Sequence, residues 1–419
     1  MKSGAIIVSV GDELLAGRVL DTNAHVLSRA LRVAGFPVRE RRTAPDDVAA
    51  AADAIRESLS KAAVVVVTGG LGPTKDDLTR DAVAAALGVR LVRDPRAAAM
   101  LAATYARLGR VAPPGSDVQA DLPEGTAPIE NLRGTAPGIL SAGPEGVLFV
   151  APGVPSELLG MMEHSLLPLL ATRPERGPAP RLRQATIAGV AEVVVGRLVA
   201  DLMERGRDPV VGSYPKQGRV VLALESSAAD PELADRLLAA DLAAIRARFG
   251  DAFVGEGDLA LNEVCAAVLL QRGTTIAVAE SVTGGLLSDG LVEVPGISAV
   301  FRAGFAVYSN DAKRDLLGVP EEIFASDGAV SERCVRAMAE GARRVARADV
   351  GLATSGIAGP TGGSPAKPVG TVWFAVADAA GTTAARFTFP GERAAIRRYA
   401  RERAFDLLRR RLLGLGPVV

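Results

Sequence analysis

Short strand-like segments alternate with segments of helical periodicity over the first 170 residues. The run Val64–Thr68, which is almost entirely valine, is typical of a strand buried on both faces of a parallel sheet. Strands are predicted at Ala5–Val10, Pro37–Thr43, Val64–Thr68 and Val147–Ala151, and helices at Asn23–Val33, Asp47–Ser60, Asp81–Leu87, Pro95–Leu108 and from Glu157 to about Leu170. This alternation predicts a doubly wound α/β domain. The Pro- and Gly-rich stretch Val111–Leu132 is predicted to be a loop or lid.

The same alternation returns from Leu259 to the C terminus and predicts a second α/β domain. Its strands are predicted at Thr275–Ala279, Phe301–Tyr308, Val350–Thr354, Thr371–Ala377 and Thr382–Phe389, and its helices at Leu259–Gln271, from Ser331 to about Arg347 and at Glu392–Leu413. The last helix is strongly basic, and we expect its basic face to be solvated.

A smaller unit of β-α-β-β-α order lies between the two domains, after the linker-like stretch Thr172–Pro180. The sequence therefore predicts two doubly wound α/β domains joined by a small α+β connector. The domain boundaries are predicted at residues 1–171, 172–254 and 255–419. A chain of this length is sufficient for two or three domains.

Composition narrows the classes of partner. The 48 basic and 48 acidic residues balance, and aromatic residues make up only 4% of the chain, so neither nucleic-acid binding nor base stacking is indicated. No apolar run approaches the length of a membrane span. The two cysteines, Cys265 and Cys334, lie in apolar helical patterns and are predicted to be reduced and structural. This favours a cytoplasmic protein.

The loop after Val64–Thr68 carries the most distinctive chemistry of the first domain. Its candidate ligand-binding residues are Gly69, Gly70, Gly72, Thr74, Asp76 and Asp77. Glycines let a ligand approach the backbone, free amides at a helix start bind phosphate, and carboxylates add a divalent cation. We therefore expect phosphate on the amides of Gly69–Gly72 and metal on Asp77, with Asp12 and Asp46 as weaker metal ligands. The simpler alternative is a tight turn with solvated aspartates, and Asp46 is also placed to cap a helix.

Three polar loops follow the strands of the C-terminal domain. The side chains of this domain that are candidates for catalysis or ligand binding are Ser281, Ser298, Tyr308, Lys313, Ser355 and Arg393. Of these, Ser298 precedes a strand instead of following one. A Ser–His–Asp triad is excluded here because the chain's two histidines, His25 and His164, lie far upstream. A serine can instead be activated by a lysine whose pKa is depressed, with glycine-rich turns as the oxyanion hole. From the loops alone, Ser281 ranks above Ser298 as the nucleophile because its turn is the more obvious site.

Three runs of the first domain, Gly11–Gly17, Asp21–Asn23 and Thr68–Thr79, resemble the molybdopterin-binding (MoCF-type) domain at the front of the CinA family. The resemblance implies hydrolysis of ADP-ribose to AMP and ribose 5-phosphate with a divalent metal ion of unknown identity. Relatives of the same fold instead handle molybdopterin, and the sequence does not choose between the two. The connector resembles a KH-like domain, but it has no Gly-x-x-Gly between two helices, which counts against RNA binding.

The C-terminal half is similar to the CinA C-terminal domain, which also occurs alone as nicotinamide-mononucleotide deamidase. The matching runs include Ala279–Gly285, Gly304–Asn310 and Ser355–Gly363. The resemblance implies cofactor-free hydrolysis of the carboxamide of nicotinamide mononucleotide, with Ser298 as nucleophile and Lys313 as base. It places substrate contacts at Glu280, Ser281, Thr283, Gly284, Tyr308, Asn310, Ser355, Gly356 and Arg393.

Taken together, these resemblances imply a bifunctional enzyme of pyridine-nucleotide salvage, expected to be a homodimer that binds nicotinamide mononucleotide and ADP-ribose. A front domain that handles molybdopterin is the alternative within the enzyme class. From a different class comes a non-catalytic accessory protein for DNA uptake or repair, as the family's competence and damage-inducible names suggest. The balanced charge and the scarcity of aromatic residues count against direct DNA binding.

Overall fold

The valine run Val64–Thr68 lies in the interior of the first sheet, with all five residues buried. The structure, a computed structural model, describes residues 2–216 and 218–416. The chain divides after Pro180 into two units. The strands of the first unit are β1 (Ala5–Val10), β2 (Val38–Ala44), β3 (Val64–Thr68), β4 (Leu91–Arg93), β5 (Asp121–Pro123), β6 (Ala127–Ile129), β7 (Gly138–Gly143) and β8 (Gly146–Ala151).

Six of these strands form one sheet in the order β2-β1-β3-β8-β7-β6. The first four are parallel, whereas β7 is antiparallel to β8 and to β6. The helices are α1 (Asp12–Leu15), α2 (Thr22–Val33), α3 (Val48–Lys61), α4 (Thr79–Leu87), α5 (Pro95–Arg107), α6 (Pro155–Met161) and α7 (Leu167–Ala171). One apolar core gathers α3, α4 and α5, and another gathers α2, α6 and α7. The predicted doubly wound α/β fold is therefore confirmed.

The stretch Val111–Leu132 is not the featureless loop that its composition predicts. It contains a 3₁₀ turn at Ser116–Ala120 and two strands of three residues each, β5 and β6. β5 pairs with β4, and β6 pairs with β7. Strands this short cannot show a period of two, so partners elsewhere in the chain decide their conformation.

The second unit begins with the connector, whose elements are β9 (Arg181–Ala188), α8 (Glu192–Leu198), β10 (Val210–Lys216), β11 (Arg219–Ser226), α9 (Pro231–Phe249) and β12 (Phe253–Glu256). The predicted β-α-β-β-α order is present. An unpredicted fourth strand, β12, pairs antiparallel with β9 and gives a sheet in the order β10-β11-β9-β12.

The remainder of the second unit is built on a five-stranded sheet. Its strands are β13 (Ile276–Glu280), β14 (Phe301–Ala306), β15 (Val350–Gly356), β16 (Thr371–Asp378) and β17 (Gly381–Thr388), and its helices are α10 (Leu261–Arg272), α11 (Leu286–Val292), α12 (Asn310–Leu317), α13 (Glu321–Ser326), α14 (Glu332–Val345) and α15 (Arg393–Leu413). The strand order is β14-β13-β15-β16-β17. The first three strands are parallel, β16 is antiparallel to β15, and β17 is antiparallel to β16. Cys265 and Cys334 are buried and free, as predicted.

The expectation that the basic face of α15 is solvated is wrong for its C-terminal half. Arg409 and Arg410 are buried and form ion pairs with the buried carboxylate of Asp406, at 2.8 Å and 3.2 Å. Arg409 also donates to the carbonyl oxygen of Asp251 in the connector. A charge pattern read along one helix does not reveal this, because the covering segment is distant in sequence.

Candidate functional site

The carboxyl ends of β1, β3 and β8 open onto a cavity of about 460 Å³ in the first unit. Loops that follow parallel strands meet at one edge of a sheet, which brings three separate loops to this space. Among the described residues that line the cavity there is no Lys, Arg or His, whereas the carboxylates are Glu13, Asp21, Asp46, Asp76, Asp77 and Glu157. A cavity of this composition attracts a cation and repels a bare phosphate.

The carboxylate of Asp77 is occupied by its own loop. It accepts the N–H of Gly72 at 2.7 Å, the N–H of Thr74 at 2.9 Å, and the Thr74 hydroxyl. The amide of Gly69 donates to the carbonyl oxygen of Ala151 at 3.1 Å. Two of the three glycine amides predicted to bind phosphate, and both donors of Thr74, are therefore already used within the protein.

The glycines of this loop are needed because backbone and side chains approach them closely. Gly69 and Gly70 have φ values of 110° and 62°, in the left-handed region that favours glycine. A Cβ on Gly70 would collide with the Thr79 hydroxyl. Beneath the loop, the buried Arg80 donates to the carbonyl oxygens of Leu71 at 2.7 Å and Gly72 at 3.0 Å. Burial lowers the pKa of Arg80 below its ordinary value.

Asp12 and Asp46 are held together but do not make a metal centre. The N–H of Asp12 donates to Asp46 at 2.9 Å, and the N–H of Asp46 donates to Asp12 at 3.3 Å. Asp46 lines the cavity, whereas Asp12 does not. The helix cap considered for Asp46 belongs to Asp47, which accepts the N–H of Ala50.

No three His, Cys, Asp or Glu side chains within residues 2–216 and 218–416 are grouped to hold a metal ion. A resident metal centre built from protein ligands alone, on Asp77, Asp12 and Asp46, therefore does not fit this cavity. Mg²⁺ commonly binds through one or two carboxylates together with substrate phosphates. The acidic lining fits a cation of that kind.

In the second unit, the carboxyl ends of β13, β14 and β15 bring most of the predicted site residues to one edge. Glu280 pairs with Ala306 and with Thr354 in the parallel ladder, so the turn at Ser281 and the residues after β14 and β15 are neighbours. The N–H of Val307 donates to the carbonyl oxygen of Glu280 at 2.9 Å and holds the ends of β13 and β14 together.

Lys313 is the most unusual group at this edge, because its side chain is only 1% exposed. Its ammonium donates to the carbonyl oxygens of Tyr308 at 3.1 Å and Ser309 at 3.4 Å. No carboxylate in the described part of the chain forms an ion pair with it. Burial lowers the pKa of Lys313 below its ordinary value, and the nearby thiol of Cys334 opposes that shift. The arrangement favours a neutral amine, which a general base requires.

The carboxylate of Glu280 bonds to the turn that follows it. Its buried carboxylate accepts the N–H groups of Gly285 and Leu287 at 2.9 Å each, the N–H of Ser288 at 2.8 Å and the Ser288 hydroxyl at 2.7 Å. These four bonds satisfy the first amides of α11 and use both carboxylate oxygens. We therefore assign Glu280 to the architecture of the turn rather than to substrate.

Thr283 is also part of the architecture of this turn. Its side chain is buried, and its hydroxyl lies 2.8 Å from that of Thr354. Its carbonyl oxygen accepts Arg397 at 2.7 Å. The left-handed Gly284, at φ 58°, lets the chain turn above it. The hydroxyl and the carbonyl oxygen of Thr283 are therefore both used in bonds within the protein.

Tyr308 and Arg393 meet at the open side of this edge. Tyr308 is 66% exposed, and its hydroxyl accepts Arg393 at 3.0 Å. Arg393 is exposed and also donates to the carbonyl oxygen of Gly359 at 3.0 Å. Asn310 begins α12 beside them and is exposed. These three groups are therefore accessible to an anionic ligand.

Ser281 and Ser355 differ in accessibility although both follow strands of this edge. Ser281 is partly exposed. Ser355 is buried, and its hydroxyl donates to the carbonyl oxygen of Ala329 at 2.6 Å. Gly356 lies so close to β16 that a Cβ would approach the carbonyl oxygen of Thr371 to 2.8 Å. Ser355 and Gly356 therefore form the inner surface at this edge of the sheet.

Ser298 lies at the other end of the sheet. It is exposed, in the 3₁₀ turn Ile297–Ala299 that leads into the start of β14, whereas Lys313 follows the end of β14. Six residues of strand, rising about 3.3 Å each, separate the two by more than roughly 16 Å. The predicted proton transfer requires hydrogen-bond contact. One chain therefore does not bring its own Ser298 and Lys313 together.

Comparisons with known proteins match all three parts of the chain. The family models are "Probable molybdopterin binding domain" over residues 6–172, "Damage-inducible protein CinA KH domain" over 183–255 and "CinA C-terminal domain" over 258–412. A CinA-like protein of Geobacter sulfurreducens is 42% identical, over 97% of this chain and 98% of its own. One from Frankia casuarinae is 41% identical, over 98% of this chain and 96% of its own.

The chain belongs to the CinA family. A crystal structure of a CinA superfamily protein from Klebsiella pneumoniae is 37% identical and covers 37% of this chain and 96% of that chain, with a TM-score of 0.36. The predicted fold class, two α/β domains with a KH-like connector, is confirmed. Within residues 2–216 and 218–416, no helix of this CinA-family chain is long and apolar enough to cross a membrane.

Several residues that shape the two sites were not singled out from the sequence. Arg80 and Arg397 both hold glycine-rich turns by donating to backbone carbonyl oxygens. Lys367 does the same for the loop before α14, by donating to the carbonyl oxygen of Asp327 at 2.6 Å. An arginine or lysine close in sequence to a Gly-rich turn is a weak signal for this role, and Arg397 lacks even that because it lies on α15.

Proposed function

We propose that the second unit hydrolyses the carboxamide of nicotinamide mononucleotide to nicotinate mononucleotide and ammonia. The observation that carries the proposal is Lys313, a buried amine that pairs with no carboxylate among the described residues and lies at the carboxyl edge of three parallel strands. A lysine in such a place is neutral over a larger part of the pH range than an exposed one. It can therefore act as a general base where no histidine is available.

The reaction runs through an acyl-enzyme. The serine oxygen attacks the carboxamide carbon while its proton passes to Nζ of Lys313, and that proton then passes to the departing nitrogen, which leaves as ammonia. Water next attacks the ester carbon and gives a proton to Lys313, which returns it to the serine oxygen. Nicotinate mononucleotide is released, and the net change is one water consumed for each ammonia formed.

The exposed groups around Lys313 suit the remainder of the substrate. Arg393 and Tyr308 present a cation and a hydroxyl to the 5′-phosphate, and Asn310 lies beside them. The resemblance implies Ser298 as the nucleophile. Ser281 is the alternative, because it shares an edge with Lys313 within one chain. A non-catalytic accessory role for the second unit would not explain why the amine of Lys313 is buried.

The test is ammonia release from nicotinamide mononucleotide by the full chain in the presence of EDTA. We expect stoichiometric ammonia and nicotinate mononucleotide, with no loss of rate on chelation, because no step requires a metal. Nicotinamide, which lacks the ribose phosphate, is the control substrate and is expected to react far more slowly. A chain that releases no ammonia, or that loses the activity with EDTA, would remove this function.

For the first unit we propose binding and hydrolysis of a phosphate-bearing nucleotide, ADP-ribose, to AMP and ribose 5-phosphate. The supporting observation is the acidic cavity at the ends of β1, β3 and β8, which disfavours a bare phosphate but accepts one that carries a divalent cation. Asp46 would hold that cation, and Asp77 would contribute the acceptor capacity that its three loop donors leave free. The cation would neutralise charge on the phosphates. Binding of molybdopterin is the alternative. Its phosphate would also require a divalent cation to enter this acidic cavity.

Manganese binding tests this proposal apart from catalysis. We expect weak Mn²⁺ binding by the chain alone and much tighter binding once ADP-ribose is present. Asp46→Asn should weaken the binding and slow AMP release by about tenfold or more, because a carboxylate in contact with a cation is lost. Asp53→Asn, an exposed change on α3 outside the cavity, is the matched control.

Asp77→Asn should also abolish AMP release while leaving deamidation intact, since the second site belongs to another unit. That variant alone does not identify a metal ligand, because an amide cannot accept all three loop donors. Tight Mn²⁺ binding without nucleotide would contradict the proposal. So would AMP release that survives chelation. Binding of molybdopterin without cleavage of ADP-ribose would favour the alternative.

A further inference from the structure

Arg397 uses only part of its guanidinium to hold the turn after β13. Its Nη2 donates to the carbonyl oxygen of Thr283 at 2.7 Å, and within residues 2–216 and 218–416 this side chain makes no other hydrogen bond or ion pair. The side chain is partly exposed. A guanidinium carries five N–H donors in a planar fork, so most of the donors of Arg397 remain available to a ligand.

The turn in front of Arg397 leaves open space beside the guanidinium. Gly284 and Gly285 have left-handed φ values of 58° and 109°. A Cβ on Gly284 would have only Nη2 of Arg397 and the carbonyl oxygen of Ser281 within 4 Å, its chain neighbours aside. A Cβ on Gly285 would meet no atom of the described residues within that distance. The guanidinium therefore borders a space that a ligand can enter.

Arg393 adds a second positive charge on the same side of α15. Residues four apart on a helix are neighbours, with Cβ atoms about 5–6 Å apart. No carboxylate in the described part of the chain pairs with Arg393 or Arg397. Glu280, the acid of this turn, is buried, and its two oxygens accept hydrogen bonds from the start of α11. The open side of the turn is therefore positively charged and suits a phosphate.

Arg397 and Lys313 lie on opposite faces of the sheet at the same edge. α15 packs through Ile396 into the core on one face, and α12 packs through Leu317 into the core on the other. A mononucleotide carries its carboxamide and its phosphate at opposite ends. A molecule that lies across the carboxyl edge can therefore present the carboxamide to Lys313 and the phosphate to Arg397.

We propose that Arg397 is a second phosphate-binding residue and that it makes the site selective for the 5′-phosphorylated nucleotide over the nucleoside. Arg393 and Arg397 hold the phosphate from one side of α15. The N–H of Gly284, which has no acceptor among the described residues, is a third donor. This inference rests on the proposed deamidation, because it names the residue by which that site recognises its substrate.

Two substrates distinguish a phosphate contact from a purely structural role in the turn. Nicotinamide riboside is the mononucleotide without its phosphate. Arg397→Gln in the full chain should raise KM for the mononucleotide by about 10- to 100-fold, the loss of a hydrogen bond to a charged group, with little change in kcat. Its kcat/KM for the riboside should stay within about twofold of the wild type, because that substrate has no phosphate to contact.

Arg398→Gln is the matched control. Arg398 follows Arg397 on α15 and is exposed, so its loss changes the net charge equally and should affect neither substrate. Arg397→Lys keeps the charge but not the planar fork, and its KM for the mononucleotide should lie between those of the wild type and Arg397→Gln. It provides the same test if the glutamine variant does not fold.

Two results of these assays would overturn the inference. An Arg397→Gln chain that loses the same factor with both substrates would show that only the turn depends on Arg397. An equal rise in KM for Arg398→Gln would show that net charge, and not contact with the phosphate, determines affinity.

Equilibrium binding provides a readout without turnover. Nicotinamide mononucleotide is titrated by calorimetry into the full-length Lys313→Met chain, which lacks the base. Addition of Arg397→Gln should raise Kd by about 10- to 100-fold, and addition of Arg398→Gln should leave it unchanged.

Failure of this inference and failure of the proposed deamidation are distinguishable. Binding that depends on Arg397, in a protein whose wild type releases no ammonia, would refute the deamidation and support the phosphate contact. A wild type that releases ammonia, with binding that is equal whether or not Arg397 is replaced, would refute the phosphate contact alone.

Discussion

Ser298→Ala is expected to lower ammonia release from nicotinamide mononucleotide by about 10⁴-fold or more, because removal of a nucleophile leaves no acyl-enzyme route. Binding of the mononucleotide should persist, since the contacts proposed between its phosphate and Arg393 and Tyr308 are untouched. Folding should be unaffected because Ser298 is exposed and outside the core. In the wild type, rapid-quench trapping of the acyl-enzyme should give a mass increase on the peptide that contains Ser298. This measures formation of the acyl-enzyme independently of ammonia release.

Ser281→Ala is the matched comparison for this prediction. Ser281 lies in a turn at the same edge of the sheet as Lys313. Its loss should therefore act mainly on substrate affinity and raise KM more than it lowers kcat. The opposite outcome is informative. If Ser281→Ala is inactive, and Ser298→Ala keeps near-normal turnover and carries no label, the nucleophile is Ser281 and each chain holds a complete site of its own.

Lys313→Met is expected to lower the rate by roughly 10²- to 10⁴-fold, the contribution of a positioned general base. Methionine is unbranched and apolar, so it can fill the buried space that the lysine stem occupies. Lys313→Arg should be equally inactive, because a guanidinium stays charged and cannot accept a proton. Initial rates at saturating substrate for the wild type and the two variants provide the measurement.

Thermal stability distinguishes a variant that has lost only the general base from one that no longer folds. Burial lowers the native pKa of Lys313, so the unfolded chain binds that proton more tightly than the native chain does. The contribution of this group to stability therefore rises with pH, from the native pKa up to the ordinary one, and is unfavourable at neutral pH. Lys313→Met should unfold at a temperature no lower than the wild type. An inactive variant that also melts early would not count as evidence for a base.

The strand and helix pattern was predictable because most elements are long enough to show their period. Ala5–Val10 and Val64–Thr68 match the predicted bounds, and α14 begins directly after Ser331, whose hydroxyl accepts the N–H of Cys334. The three-residue strands β4, β5 and β6 were missed, because their conformation depends on partners rather than on local pattern.

The site was predictable as a set of loops but not as a set of contacts. Glycine-rich turns after strands indicate an edge of the sheet that binds a ligand. The acidic residues near these turns, however, can accept hydrogen bonds from the turn instead of contacting the ligand. Glu280 and Asp77 both accept several backbone amides, and no one-dimensional pattern separates such an acid from one that faces a ligand. The separation of Ser298 from Lys313 was, by contrast, predictable, because the predicted strand Phe301–Tyr308 lies between them in the sequence.

The pH dependence of ammonia release by the wild type, with EDTA present, tests the neutral-lysine base most directly. The rate at saturating nicotinamide mononucleotide is predicted to rise with pH through a single pKa below the ordinary value of lysine, because the neutral fraction of Lys313 increases. The small residual rate of Lys313→Met is predicted to lack that rise. A wild-type profile that is flat, or that falls as pH rises, would contradict a neutral lysine as the base, and so would a rise that persists in Lys313→Met.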